Sequence, residues 1–192
     1  MSILLVAGLG NPGREYEKTR HNAGFAVVSA LAEKLGLAWQ RQRSFRAETA
    51  RWELSPQRGI LLAKPLTFMN ESGAALQSIA GFFKIPAADI IAVYDDLNID
   101  LGLVKVSTQG SAGGHNGVAS LIERLGGDFV RYRIGIGPKL PPQMELKDFV
   151  LGKFTTEQQN IFNQQIETYL TGLRTLLEQG AERAMNLLNR RN

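Results

Sequence analysis

Several residue types that build common active sites are absent or scarce in this sequence. The 192-residue chain contains no cysteine, which excludes disulfides, thiolate metal sites and cysteine nucleophiles. No apolar stretch approaches the ~20 residues that a membrane-spanning helix needs. The apolar run at residues 3–7 follows the first residues without the charged start and cleavage site of a signal peptide. We therefore expect a cytoplasmic protein without a membrane anchor.

Histidine is also scarce, and the two that are present lie in the most informative segments. His21 belongs to Thr-Arg-His-Asn-Ala-Gly at residues 19–24, and His115 belongs to the glycine-rich segment at residues 110–117. Each is followed by asparagine, and neither lies in an apolar stripe. Imidazole has the unperturbed pKa nearest to neutrality, which suits it to general base catalysis. The two His-Asn pairs predict a catalytic or binding centre made from loops, although surface or capping histidines are the simpler alternative.

Length and charge set wide limits on the protein. A chain of 192 residues without an internal repeat or a linker fits one compact domain, spanning residues 1–192. The net charge of +4 permits a polyanionic partner but does not require one.

Strand-like and helix-like segments alternate along the chain. Apolar runs or alternation predict strands at 3–8, 45–54, 60–64, 90–94, 103–108 and 130–136. Helical spacing predicts helices at 22–35, 70–84 and 117–125. The tail opens with a capping box, Thr155 and Gln158, and keeps helical spacing to Leu188. The pattern predicts an α/β fold, a three-layer α/β/α domain with a twisted, mostly parallel mixed sheet.

Polar residues follow several of the predicted strands. In α/β folds ligands bind beside the loops that leave the carboxyl ends of the strands. Asn70 follows the 60–64 strand and either caps the next helix or grips a carbonyl oxygen. Asp95 ends the 90–94 strand and either caps a turn or orients His21. Their convergence at one edge of the sheet predicts an active site there.

The segment Gly-Leu-Gly-Asn-Pro-Gly at residues 8–13 matches a dinucleotide-binding motif. No apolar stripe follows it at residues 14–21, and the later segment at 39–43 is basic where an acidic residue would hold the ribose. We interpret the segment as a tight turn that presents Asn11. An NADP-dependent enzyme remains the alternative from these residues.

Charged residues raise two further possibilities. Asp95 and Asp96 form a carboxylate pair, but the sequence has no His-x-x-x-His spacing and no third acidic cluster, so we expect no metal. Lys105 and Arg133 flank the glycine-rich segment, as does Arg131, and could clamp a phosphate. Taken individually, each is more simply explained as a solvated surface charge.

Taken together, these segments resemble the bacterial-type peptidyl-tRNA hydrolase family. One signature, Tyr-x-x-Thr-Arg-His-Asn-x-Gly, covers residues 16–24, and Gly-Gly-His-Asn-Gly at 113–117 belongs to a second. Further segments match in order at 8–13, 64–73, 94–97, 133–137 and 148–152. Ser29 and Asn98 depart from residues that the family often carries. The match covers nearly the whole chain.

The resemblance implies a monomeric enzyme that cleaves the ester between a peptide and the 3′-terminal ribose of tRNA, without metal or cofactor. His21 would activate water and Asp95 would orient the imidazole. Asn11, Asn70 and Asn116 would grip the carbonyl, the peptide backbone or the ribose. The remaining substrate-binding residues implied are Tyr16, Phe68, Met69, Gly113, His115, Lys105 and Arg133, of which the last two would hold the 5′-phosphate of the acceptor stem.

A second class of function is an RNA-binding homologue of the same fold without hydrolysis. The presence of His21, Asp95 and the three asparagines argues against it, because such a protein has no chemical need for all five.

Overall fold

The computed structural model of the protein describes residues 2–189. Its strands are β1 (Ser2–Gly8), β2 (Gln40–Gln42), β3 (Ala47–Ser55), β4 (Arg58–Pro65), β5 (Ile90–Asp100), β6 (Val104–Ser107) and β7 (Val130–Gly137). Its α-helices are α1 (Ala23–Lys34), α2 (Ser72–Phe83), α3 (Asn116–Leu125), α4 (Leu146–Leu151), α5 (Thr156–Gln164), α6 (Ile166–Gln179) and α7 (Ala181–Leu188). Within residues 2–189, none of the helices has the length and apolar character needed to cross a membrane.

The strands form one mixed sheet in the order β2-β3-β4-β1-β5-β7-β6. The four central strands, β4, β1, β5 and β7, run parallel to one another. Antiparallel pairs lie toward both edges, where β3 joins β4, β2 joins β3, and β6 joins β7. Parallel central strands place their carboxyl ends at one edge of the sheet, as the sequence predicted.

Helices cover both faces of the sheet because alternate strand residues point to opposite faces. Leu5 of β1 and Ala92 of β5 pack in the cluster that contains residues of α2 and α3. Val6 and Val93 pack in the other cluster, with residues of α1 and of α4–α7. This arrangement confirms the predicted three-layer α/β fold.

The differences from the sequence prediction have local causes. The strand predicted at 90–94 continues to Asp100, and the helical tail divides into α5, α6 and α7. Gly180 separates α6 from α7 with a φ of 87°, which glycine adopts without strain. The sequence did not predict β2 or α4, because three and six residues are too short to show a period.

Two glycines of α2 provide a test of how closely α2 packs on α3. A Cβ at Gly73 would lie 2.1 Å from the carbonyl oxygen of Ser120, whereas a Cβ at Gly81 would meet nothing within 4 Å. We expect Gly73→Ala to reduce the free energy of unfolding by roughly 1–3 kcal/mol or more, because backbone atoms must move. Gly81→Ala is the matched control and should raise it by about 0.5–1 kcal/mol through helix propensity. Denaturant unfolding of both variants measures the difference, and similar values for the two would contradict this packing.

Candidate active site

A cavity of about 710 Å³ lies where loops leave the carboxyl ends of the central strands. The turn after β1 contributes Asn11, the loop between β4 and α2 contributes Asn70, and β5 contributes Asp95. The glycine-rich segment between β6 and α3 forms a further part of the wall. Most of the site residues predicted from the sequence share this one lining: Asn11, His21, Phe68, Met69, Asn70, Asp95, Gly113, His115, Asn116 and Arg133.

Asp95 lies between the two histidines. Nδ1 of His21 is 3.0 Å from each carboxylate oxygen of Asp95, and Nε2 of His115 is 2.9 Å from Oδ1. The centroids of the two imidazole rings are 4.8 Å apart. His21 and Asp95 are buried, with 7% and 3% of their surface exposed. The predicted pair of Asp95 with His21 is present, and the second imidazole on the same carboxylate was not predicted.

The hydrogen-bond partners assign the protons on both rings. A carboxylate only accepts hydrogen bonds, so each ring nitrogen facing Asp95 carries a proton. Nδ1 of His115 accepts from the backbone N–H of Val118 at 3.2 Å, where His115 caps α3. The proton of the His115 ring therefore lies on Nε2, toward Asp95. In neutral His21 the proton on Nδ1 leaves Nε2 with a lone pair, which is the form that acts as a base.

The ionisation of Asp95 follows from the same contacts. Burial acts to raise its pKa, but the two imidazoles together outweigh burial and hold the pKa of this carboxyl below its ordinary value. Asp95 is consequently a carboxylate throughout the neutral range. Because the folded-state pKa is depressed, Asp95 stabilises the fold above its ordinary pKa of about 4, and this contribution is lost as the pH falls below that value.

Asn11 is held by a residue to which the sequence analysis gave no role. The backbone N–H of Asn11 donates to Oδ1 of Asn22 at 2.8 Å, and Nδ2 of Asn22 donates to the carbonyl of Asn11 at 2.9 Å. Oδ1 of Asn11 accepts from the backbone N–H of Met69 at 2.8 Å. The Nδ2 amide is therefore the group that Asn11 has left to offer a ligand. Asn22 follows His21 directly, and that pairing was the only sequence signal for it.

Asn70 and Asn116 are exposed residues of the cavity lining. The alternative that Asn70 caps α2 is wrong, since the cap position belongs to Glu71 and no side chain bonds there. Asn116 is the first residue of α3, directly after the capping His115. Both amides are thus available to a ligand.

An apolar part of the lining comes from the loop before α2. Phe68 is 57% exposed, whereas Met69 is buried. The ring of Tyr16 meets that of Phe68 edge to face with centroids 6.4 Å apart, although Tyr16 is not itself a lining residue. Tyr94, which the sequence analysis also missed, lies 4.9 Å from the His115 ring. Burial raises the pKa of Tyr94 to about 12, so it remains a neutral phenol.

The cationic residues around the glycine-rich segment differ in their contacts. Lys105 of β6 pairs in register with Arg133 of β7, so the two side chains share a face of the sheet, but only Arg133 lines the cavity. Nη1 of Arg133 is 3.3 Å from Oδ2 of Asp96. Arg131 is buried, and its Nη2 donates to the carbonyl of Gly110 at 2.6 Å. Arg131 therefore fixes the glycine-rich segment, and its interpretation as a solvated surface charge is wrong.

The ligating atoms of His21, Asp95 and His115 lie within 4.8 Å of one another, so by residue type this cluster could hold a metal ion. The contacts of 2.9–3.0 Å, however, are hydrogen bonds. They engage Nδ1 of His21, Nε2 of His115 and both carboxylate oxygens of Asp95, and Nδ1 of His115 is occupied by the backbone N–H of Val118.

The glycine motif at residues 8–13 lacks the geometry of a dinucleotide-binding turn. A short 3₁₀ turn at Arg14–Tyr16 follows it, and α1 begins only at Ala23. A Cβ at Gly8 would lie 2.6 Å from the carbonyl oxygen of Gly24 in α1. Gly8 thus permits close packing of α1 on β1, and the NADP alternative is wrong.

Comparisons with known proteins agree with this geometry. The family model described as peptidyl-tRNA hydrolase matches residues 5–192. The peptidyl-tRNA hydrolase of Elusimicrobium minutum is 42% identical over 189 residues, covering 98% of this chain and all of that protein. That of Gloeobacter violaceus is 40% identical, covering the whole chain and 96% of the relative. The crystal structure of the Acinetobacter baumannii peptidyl-tRNA hydrolase is 34% identical with a TM-score of 0.88, and the match covers 96% of this chain and 93% of that one.

Proposed function

The chain belongs to the peptidyl-tRNA hydrolase family and hydrolyses the ester between peptide and tRNA, and from this premise we propose that the cavity around His21 is its active site. The observation that carries the proposal is the buried contact of His21 Nδ1 with the Asp95 carboxylate at 3.0 Å. An imidazole oriented in this way is a general base with its proton-accepting nitrogen fixed. A protein that only binds RNA has no use for such a pair.

In the proposed reaction His21 removes a proton from water through Nε2. The hydroxide attacks the ester carbonyl carbon and forms a tetrahedral oxyanion, while Asp95 stabilises the imidazolium. The C–O bond to the terminal ribose then breaks, and the ribose oxygen takes the proton from His21. The products are a peptide carboxylic acid and tRNA with a free ribose hydroxyl. An ester needs no covalent nucleophile for this reaction.

The asparagines supply donors to the substrate in this proposal. Nδ2 of Asn11 is its free donor, since Oδ1 is bonded to Met69. Asn70 and Asn116 are exposed in the same lining and can bind the ester carbonyl, the peptide backbone or the ribose. His115 supports the arrangement by fixing Asp95.

We propose that the remaining residues in and beside the cavity divide between peptide and RNA. Tyr16, Phe68 and Met69 offer apolar surface beside the ester. Gly113, with a φ of 57°, lets the substrate approach the backbone of its segment. Lys105 and Arg133 receive the acceptor stem while the 3′ CCA end enters the cavity. The chain acts, in this proposal, as a monomer of one domain (1–192), without metal or cofactor, in the cytoplasm, where tRNA is used in translation.

The direct test of the proposal uses an N-blocked aminoacyl-tRNA. Incubation with the protein should release free tRNA at a rate proportional to protein concentration, and the same reaction should proceed after treatment with a metal chelator. Unblocked aminoacyl-tRNA serves as the comparison substrate. Binding of tRNA without release would favour the RNA-binding alternative.

Replacing Lys105 and Arg133 together with alanine tests the proposed phosphate clamp. We expect KM for full-length tRNA esters to rise with little change in kcat, because phosphate contacts position a nucleic acid. The log–log salt dependence should become shallower by roughly one for each phosphate that is no longer neutralised. A short CCA-terminated ester does not reach the clamp and is the control substrate. Equal decreases on long and short substrates would place these residues in the catalytic centre or the fold instead.

A further inference from the structure

Arg20, which precedes His21, is buried and has no carboxylate partner within residues 2–189. Its guanidinium lies over the rings of Phe149 and Phe154, 4.6 and 5.4 Å from their centroids. Nη1 donates to the carbonyl of Phe149 at 3.2 Å, and Nη2 donates to Oε1 of Gln158 at 2.7 Å. Burial lowers the pKa of Arg20, but an arginine remains charged in proteins. Burying a cation costs stability, so we look for the function of Arg20 in the segment that its hydrogen bonds and ring contacts fix in place.

Arg20 connects the loop of His21 to the carboxyl end of α4. Its backbone N–H donates to the carbonyl of Gly152 at 3.0 Å, and the preceding Thr19 forms a β-bridge with Lys153. A Cβ at Gly152 would lie 2.9 Å from Nη1 of Arg20. Because Gly152 has an ordinary φ of −70°, its backbone conformation does not need glycine, and an alanine there would displace the end of the Arg20 side chain and approach the carbonyl of Asp148 at 3.0 Å.

The helix that Arg20 holds forms an apolar part of the cavity. Leu146, Val150 and Leu151 of α4 line it together with Leu97 of β5. The cationic lining lies at Arg131 and Arg133 on β7, and α4 adds one cation, Lys147, to its three apolar lining residues. RNA phosphates are attracted to cations, whereas apolar side chains gain free energy when they bury apolar surface.

We propose that Arg20 is a positioning residue that holds α4 as the wall against which apolar side chains of the substrate's peptide bind. This inference rests on the assignment of the cavity as the active site. Arg20 itself touches no reacting atom. It fixes the distance between the α4 wall and the loop that presents His21.

The experiment compares two tRNA substrates that carry N-acetyl-trileucine or N-acetyl-triglycine. We expect Arg20→Gln to lower kcat/KM for the leucine substrate by roughly tenfold through KM, because the displaced wall no longer buries the leucine side chains. The glycine substrate of equal length should change by less than about twofold. Gly152→Ala displaces the guanidinium without removing its charge. Like Arg20→Gln, it should lower the ratio of kcat/KM for the leucine substrate to kcat/KM for the glycine substrate. Arg20→Lys keeps the charge but loses the paired donors. Its kcat/KM for the leucine substrate should lie between those of the wild type and Arg20→Gln.

Arg58→Gln is the control variant, since Arg58 also donates to a backbone carbonyl, that of Leu177, but lies outside the cavity lining. For Arg58→Gln, the ratio of kcat/KM for the leucine substrate to kcat/KM for the glycine substrate should equal that of the wild type. Equal decreases on both substrates, or unchanged kinetics per folded molecule, would overturn the inference for Arg20. If Arg20→Gln does not fold, Gly152→Ala and Arg20→Lys provide the same comparison. A wrong assignment of the active site would give a different result, because His21→Ala would then retain activity on both substrates.

Discussion

Replacing His21 with alanine is expected to lower kcat by at least roughly 10²-fold on every peptidyl-tRNA substrate, the lower bound of what a positioned general base contributes. The imidazole is removed, and the methyl group of alanine cannot accept the proton from water. Single-turnover hydrolysis of N-acetyl-aminoacyl-tRNA measures the chemical step directly.

The variant should still fold and bind tRNA. Asp95 keeps its hydrogen bond from His115 at 2.9 Å, so its carboxylate is not left without a donor. Thermal unfolding and a tRNA-binding titration provide the controls. A variant that kept a tenth of the wild-type rate would show that another group is the base.

Asp95→Asn should lower kcat by roughly 10²–10⁴-fold with a smaller effect on substrate binding. Both carboxylate oxygens lie 3.0 Å from Nδ1 of His21, so an amide N–H would replace one acceptor. When Nδ1 accepts from that amide, the imidazole proton moves to Nε2, and the nitrogen that should take a proton from water is already protonated. The change therefore inverts the tautomer while it preserves the shape of the side chain.

The competing explanation for Asp95 is structural, and it makes a different prediction. A residue needed only for the fold would show lower thermal stability with normal kinetics per folded molecule. Measuring kcat, KM and the unfolding midpoint on one preparation separates the two. Because the chain has two histidines, ¹⁵N-labelled imidazole spectra also report the tautomers of His21 and His115 directly. An unchanged His21 tautomer in Asp95→Asn would contradict this explanation of the lower rate.

Much of the fold could be predicted because it depends on periodic burial. The segments around β1, β4 and β5 appear as apolar runs since both faces of the central strands are covered, and β7 appears through alternation. β2 and α4 were not predicted, because three and six residues are too short to show a period, and the position of α4 depends in addition on contacts with distant parts of the chain. For α4 those contacts include the buried Arg20, whose neighbours are more than a hundred positions away.

The sequence by itself determined the chemistry that is present and absent: no thiol, two histidines, asparagines placed after strands, and an aspartate at the end of an apolar run that the structure shows to lie within β5. Those residue types are local properties, and parallel strand topology brings the ends of such strands to one edge. Only the tertiary structure decided how they interact. It placed His115 beside Asp95 with its proton fixed by the first turn of α3, paired Asn22 with Asn11, and used Arg131 to hold a loop. These contacts join residues distant in sequence through specific atoms, and hydrogen bonds depend on distances and angles that residue spacing does not encode.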